Sequence, residues 1–332
     1  MDRVVLNHVT YRYPIAEENA LNDVSLRIKE GEFCSIIGAN GSGKTTLCNV
    51  IRGFIPKFYQ GDLEGQVLIN GRDIAQVELG SLATEVGFVF QNPFTQISGI
   101  ANTVYEELAF GLENMGVEPD VIRRRVEDVL RLTKTEAFRD RNPYQLSGGQ
   151  QQRIALAAIL IMEQDIMVID EPTSQLDPQS TDDVFEVIKL MKDMGRTIVL
   201  VEHKMEQIAR YSDHIIVLDQ GRVVLEGTPR EVITNPDCAK YHTRLPQCTN
   251  TVSYTHLDVY KRQMQGRLHT SFSSQYYVSF RSALELMRML VEVDAGLREK
   301  GPRKRLTGGG GGQAIGGDRD GEDCLKIFKN PD

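Results

Sequence analysis

An eight-residue run, Gly38-Ala39-Asn40-Gly41-Ser42-Gly43-Lys44-Thr45, constrains this chain more than any other feature. It fits the pattern G-x-x-x-x-G-K-[ST]. It falls between a short apolar run, Phe33-Cys34-Ser35-Ile36-Ile37, and a stretch of helix-forming composition over residues 45–55. Strand, glycine loop and helix in that order are the context in which the pattern has a mechanism. Glycines let successive backbone N–H groups close round a phosphate, and the helix N-terminus adds partial positive charge. Lys44 then reaches the β- and γ-phosphates, and the Thr45 hydroxyl ligates Mg2+. An ordinary glycine turn is the competing reading, and the flanking strand and helix argue against it.

Ile166-Met167-Val168-Ile169-Asp170-Glu171 is an apolar strand ending in two carboxylates. A parallel sheet presents the C-terminal ends of its strands to ligands. Asp170 is thus placed to hold the metal through water, and Glu171 to orient or deprotonate an attacking water. Two acids after a strand otherwise mark a helix start, where negative charge suits the dipole; the glycine loop in the same chain favours the catalytic reading. Further strand candidates lie at residues 66–69, 86–90, 197–201 and 214–218, with helical stretches between most of them. This alternation predicts an α/β fold with a mainly parallel sheet covered on both faces. The first sixty residues, and residues 215–226 around Gln220-Gly221, read as antiparallel. Residues 98–145 carry few strand signals and many charges, among them Glu106, Glu107, Arg123, Arg124 and Arg125, and predict a separate helical layer.

Leu146-Ser147-Gly148-Gly149-Gln150 precedes a long helical pattern beginning Gln151-Gln152-Arg153. Ser-Gly-Gly before a helix makes a second anion-binding helix N-terminus, this one without a lysine. A serine N-cap on a structural helix is the plainer alternative.

Composition narrows what such a site serves. The 332 residues carry a formal net charge of −8, which opposes charge-driven binding to nucleic acid or anionic membrane. The longest apolar run, residues 154–162, is about half of the roughly 20 residues that span a bilayer. The N-terminus enters a β-rich pattern with no basic, apolar and cleavage-site sequence of regions, which predicts a cytoplasmic chain. Five cysteines stand singly, at 34, 48, 238, 248 and 324, so neither a disulfide framework nor structural zinc is expected.

Taken together, these segments resemble the ATPases of ABC transporters. The glycine loop, LSGGQ at 146–150, VIDEP at 168–172, Ser174-Gln175-Leu176-Asp177, Gln91 after VGFVF and His203 after TIVLVE stand in that family's order and approximate spacing. The resemblance covers about residues 2–245. It implies a P-loop NTPase fold of ABC type, with a RecA-like core, an antiparallel β subdomain and a helical subdomain near residues 94–150. It implies ATP and Mg2+ as ligands, with nucleotide contacts extending from Gly38 through Thr46. Tyr13 matches the aromatic residue that stacks on adenine, Gln91 the residue that touches Mg2+ and the attacking water, and His203 the γ-phosphate contact. Ser147, Gly148, Gly149 and Gln150 match the segment that binds ATP held by a second ATPase subunit, identical or related, and Asp177 lies in the loop that crosses that interface. Gln175 departs from the alanine common at its position, which touches only fine details of the interface.

Finer strings narrow the resemblance. GFIPKFY at 53–59, QNPFTQI at 91–97, ELAFGLEN at 107–114 and EPTSQLDP at 171–178 are similar to ATPases of energy-coupling factor transporters, which import vitamins or cobalt and nickel ions. That implies transmembrane coupling and substrate-binding subunits as partners, no nucleic acid, and a peripheral place on the cytoplasmic face of the membrane. The alternative is a soluble ABC-type ATPase acting on DNA or ribosomes. Its repair and chromosome-organising members need a long coiled coil between glycine loop and LSGGQ, and roughly a hundred residues without sustained heptads separate the two here. A phosphotransferase built on the same loop would leave LSGGQ unexplained.

Composition changes near residue 246. Residues 246–332 are expected to be mostly disordered, with one amphipathic helix at about 282–300 carrying Leu286, Met289, Leu290, Val293 and Leu297 on one face. Residues 252–263, VSYTHLDVYKRQ, resemble translated adapter or vector sequence. Residues after about 251 are then either foreign to the protein or a genuine accessory extension.

Overall fold

The structure, a computed structural model, describes residues 1–241; the tail and its expected helix lie outside them. Strands β1 (Asp2–Arg12) and β2 (Leu21–Lys29) form an antiparallel pair. The wholly buried β3 (Phe33–Ile37) then leads into the glycine loop and α1 (Lys44–Ile51). The helix expected over residues 45–55 therefore ends earlier. Gly53, at φ 75, takes a left-handed turn that L residues avoid, and a short kinked α2 (Phe54–Lys57) follows.

Next come β4 (Asp62–Ile69), longer than its expected 66–69, the two-residue β5 (Arg72–Asp73), α3 (Leu79–Ala83) and β6 (Val86–Val89). Residues 98–145, expected to form a helical layer, hold α4 (Val104–Asn114) and α5 (Pro119–Leu132), and α6 (Gly148–Leu160) follows. α4 begins with a Thr103–Glu106 capping box, and α5 buries Ile122, Val126, Val129 and Leu130 on one face. The chain then alternates as β7 (Ile166–Asp170), α7 (Pro178–Asp193), β8 (Thr197–Val201), α8 (Met205–Tyr211) and β9 (His214–Asp219). β10 (Arg222–Gly227) and α9 (Pro229–Ile233) follow.

Two sheets result. The antiparallel one has the order β2-β1-β4-β5; the other runs β10-β9-β3-β8-β7-β6, parallel throughout except for the β9–β10 edge hairpin around Gln220-Gly221. β3, β7 and β8 are buried at every position, as apolar strands covered on both faces must be. Period two sorts their side chains into two cores. Ile36, Val168, Val199 and Val201 join the antiparallel sheet in one. Met167, Ile169, Ile198 and Leu200 join α4–α7 in the other.

The parallel order has one consequence for chemistry. The C-terminal ends of β3, β6, β7 and β8 lie along one edge, and each releases a segment singled out above: the glycine loop, Gln91, Glu171 and His203.

Candidate active site

The glycine loop owes its path to residues that admit no Cβ. Gly38 has φ 152, and a methyl there would collide with the Leu218 carbonyl oxygen; one at Gly43, φ 102, would lie 2.6 Å from the Ala20 oxygen. Lys44, only 5% exposed, folds back so that Nζ donates to the Gly38 and Ala39 carbonyl oxygens at 3.0 and 2.8 Å. Burial lowers its pKa, and Glu171 and Asp170 partly offset this. The ammonium is thus drawn toward two carboxylates without a direct ion pair to either. A phosphate entering the loop would meet a lysine whose bonds to carbonyls are readily exchanged for stronger ones to an anion. Gly41 also borders an open polar cleft of about 560 Å3 lined by Asn19, Asn22, Gln220 and Arg222.

Asp170 ends β7 and is 7% exposed. Burial raises its pKa, while a hydrogen bond from the Thr45 side chain pulls the other way. Its Oδ1 is buried without a partner. An orphaned carboxylate oxygen beside a hydroxyl is a hard oxygen pair suited to Mg2+, and Gln91, bonded to the adjacent Glu171, adds a neutral amide. Thr45, Asp170 and Gln91 therefore fit the ion implied by the sequence. Among the described residues no group of three or more His, Cys, Asp or Glu could hold a metal, so an ion here would also rely on phosphate oxygens.

Glu171 stands in the left-handed region at φ 46, a conformation a non-glycine residue keeps only when its surroundings impose it. The imposition is visible: its N–H donates to the Val201 carbonyl at 2.8 Å, tying the end of β7 to β8. The carboxylate then receives Gln91 Nε2 on one oxygen and pairs with His203 Nε2 on the other, both at 2.8 Å. The His203 hydrogen bond chiefly holds the Glu171 carboxyl below its usual range. Three strand ends thus deliver Gln91, Glu171 and His203 to one contact set, beside Lys44 and Asp170.

The remaining candidates separate into two groups. Tyr13 packs edge-on against Tyr11 with centroids 4.8 Å apart, and its hydroxyl lies 3.2 Å from Thr46 Oγ1 on α1. Ser147 caps α6 in a reciprocal box with Gln150. A Cβ on Gly149 would lie 2.5 Å from Ser180 Oγ, and Ser180 is itself bound by the N-cap Asp177, whose carboxyl those bonds hold low. LSGGQ and Asp177 therefore meet at the start of α7, and neither bonds to the Lys44–Glu171 group.

The sequence reading missed two contributors. Glu202, 1% exposed, accepts from Thr173 and from the His203 backbone. The Arg52 guanidinium sits 3.7 Å from the Phe54 ring centroid and 3.8 Å from that of Phe88, and its charge opposes the burial that raises the Asp170 pKa. A charged residue closing an apolar strand, TIVLVE, was the available signal for the first; spaced aromatics were the signal for the second.

A wound parallel sheet with a glycine loop and a strand-end carboxylate pair defines a P-loop nucleoside-triphosphate-binding protein. The ABC transporter family model matches residues 21–174. A putative ABC transporter ATP-binding protein of Pyrococcus abyssi is 42% identical over 236 residues, 71% of this chain and 84% of that one. An energy-coupling factor transporter ATP-binding protein of Ligilactobacillus salivarius is 39% identical over 252 residues, 73% of this chain and 85% of that one. Among solved structures, a dimeric ATP-binding cassette in a post-hydrolysis state with ADP and Pi superposes with a TM-score of 0.60 at 33% identity, covering 68% of this chain and 99% of that chain. The chain belongs to the ABC transporter ATP-binding proteins, and it is an ABC-type ATPase.

Proposed function

We propose that this chain energises an energy-coupling factor importer of a vitamin or transition-metal ion by hydrolysing ATP as one of two cassettes paired head to tail. The Glu171 carboxylate held between Gln91 and His203, beside Lys44 and Asp170, carries this reading. The relatedness to an energy-coupling factor ATPase supports the branch.

In this reading Tyr13 stacks on adenine, and the amides of Gly38–Thr46 with Lys44 grip the phosphates. Glu171 orients a water for in-line attack on the γ-phosphate and accepts its proton, Gln91 aligns that water, and His203 holds the γ-phosphate. Thr45, with Asp170 through water and Gln91, would hold Mg2+, which supplies charge neutralisation at the phosphate oxygens. Ser147, Gly148, Gly149 and Gln150 serve the ATP of a second copy, with Asp177 at the boundary.

No helix among the described residues is long and apolar enough to cross a membrane. The chain is proposed to sit on the cytoplasmic face against transmembrane coupling and substrate-binding subunits. Exposed Phe94, Ile100 and Tyr144, next to Gln91 and the helical layer, give such a partner apolar surface. Glu171→Gln keeps the side chain's shape and removes the base. ATP binding should persist, turnover should fall roughly 10²-fold or more, and an ATP-bound dimer should accumulate in light scattering. Turnover equal to wild type would remove Glu171 from this role.

A further inference from the structure

Glu202 directly follows β8 at 1% exposure, where an unsolvated carboxylate is destabilising unless donors replace its water. Three donors do so. One oxygen accepts the backbone N–H of His203 at 2.7 Å and that of Lys204 at 3.3 Å. The other accepts the Thr173 hydroxyl at 2.5 Å, in a buried bond between residues on different loops. Thr173 is itself 0% exposed and lies two residues beyond Glu171, in the segment that continues through Ser174 to Asp177.

From this geometry we infer that Glu202 is a positioning residue for hydrolysis: its carboxylate bolts the turn bearing His203 to the loop bearing Glu171. The chemistry needs that bolt because the Glu171–His203 contact joins two side chains on separate strand ends, each followed by irregular backbone. Their backbones share one neighbouring bond, Glu171 N–H to the Val201 carbonyl. Glu202 adds a second tie on the far side of both residues, so the two cannot rotate apart about that bond alone. A charged acceptor suits this task, since one carboxylate takes N–H donors on one oxygen and a hydroxyl on the other with charge-assisted strength. An apolar residue here would leave the His203 and Lys204 amides and the Thr173 hydroxyl without this acceptor. The segment also leads to Asp177, so the bolt couples the His203 turn to the loop proposed to cross the dimer boundary.

This inference rests on the hydrolytic reading above, and its test separates the two. In the full chain, Glu202→Ala should lower kcat about 10²-fold, the scale of a roughly 1 Å misplacement of reacting groups, while KM for ATP changes little. Glu202→Gln should recover most of that loss, because its amide oxygen still accepts from His203 and Lys204. Thr173→Val should cause a smaller loss, and Thr173→Val with Glu202→Ala should be no slower than Glu202→Ala alone, since both cut one connection. Hydrogen exchange on the nucleotide-free full chain supplies the second readout. The His203 and Lys204 amides should exchange about tenfold faster or more in Glu202→Ala, with the interior of β8 unchanged. Wild-type kcat in Glu202→Ala, multiplicative losses in the double variant, or unchanged exchange at His203 and Lys204 would each overturn the inference. Should Glu202→Ala unfold, wild-type kcat in Thr173→Val, which keeps the His203 and Lys204 amide bonds and cuts only the tie to the Glu171 loop, would overturn it equally. A wild-type chain that hydrolyses no ATP would defeat the proposed function, and the exchange data would still decide the bolt.

Discussion

The chain carries two helix ends that are proposed to face phosphate, and they are built in opposite ways. The first, at α1, is assembled from distant sequence: Lys44 and Asp170 are buried, and Glu171 is held by residues that follow two other strands. The second, at α6, is nearly self-contained. Ser147 and Gln150 cap each other, and Gln151 Nε2 donates to the nearby Pro143 carbonyl at 3.1 Å. The α1 end gathers a lysine and two carboxylates from separate parts of the chain. A capped helix end without lysine or carboxylate partner has anion affinity and no chemistry of its own. In the proposed head-to-tail pair each chain would supply a hydrolytic centre and lend a plain anion-binding end.

The sharpest way to break this contrast is to add one methyl at each end. Gly38→Ala should cost about 3 kcal/mol, because the left-handed backbone and the Leu218 carbonyl both exclude a side chain, and ATP binding should be lost with it. Gly148→Ala meets only Leu176 Cδ2, at 3.9 Å, so the thermal midpoint should hold while turnover falls. Equal destabilisation in melting curves would erase the distinction. In the isolated fold Ser147→Ala removes the α6 N-cap and should cost about 1 kcal/mol in chemical denaturation.

The smallest effect lies in pH. The folded Glu171 carboxyl titrates below its ordinary value, chiefly through the His203 bond. That contact therefore contributes fully above the ordinary carboxylate range and is lost as pH falls through the depressed value. The difference in thermal midpoint between wild type and His203→Ala should be greatest near neutrality and shrink on acidification. A difference that grows in acid would reverse the assignment.

The glycine loop and Asp170–Glu171 were legible because local pattern carries their chemistry: a strand, a turn that needs glycine, then a helix or an acid pair. Gln91, His203 and Tyr13 have no such local signal, and only the family resemblance singled them out. The Glu202–Thr173 bond was not legible, since it joins residues 29 apart whose pairing exists only once β7 and β8 lie side by side. The parallel strands were read nearly to the residue, whereas β1 and β2 were recognised only as antiparallel. In β1 the register shifts between Leu6 and Val9, and His8 takes φ 53, so the alternation that marks a strand is broken there. Helical composition ran past Arg52, and only the backbone at Gly53 shows where α1 stops.

Completion of one chain's nucleotide end by another chain's LSGGQ end is tested most directly by mixing two full-length variants, each inactive alone. Lys44→Ala disables the first end and leaves the second; Ser147→Arg does the reverse. Pairing in trans predicts that an equal mixture regains ATPase activity toward a quarter of wild type, since half the dimers are mixed and each restores one site of two. Activity no greater than the sum of the separate variants would contradict it.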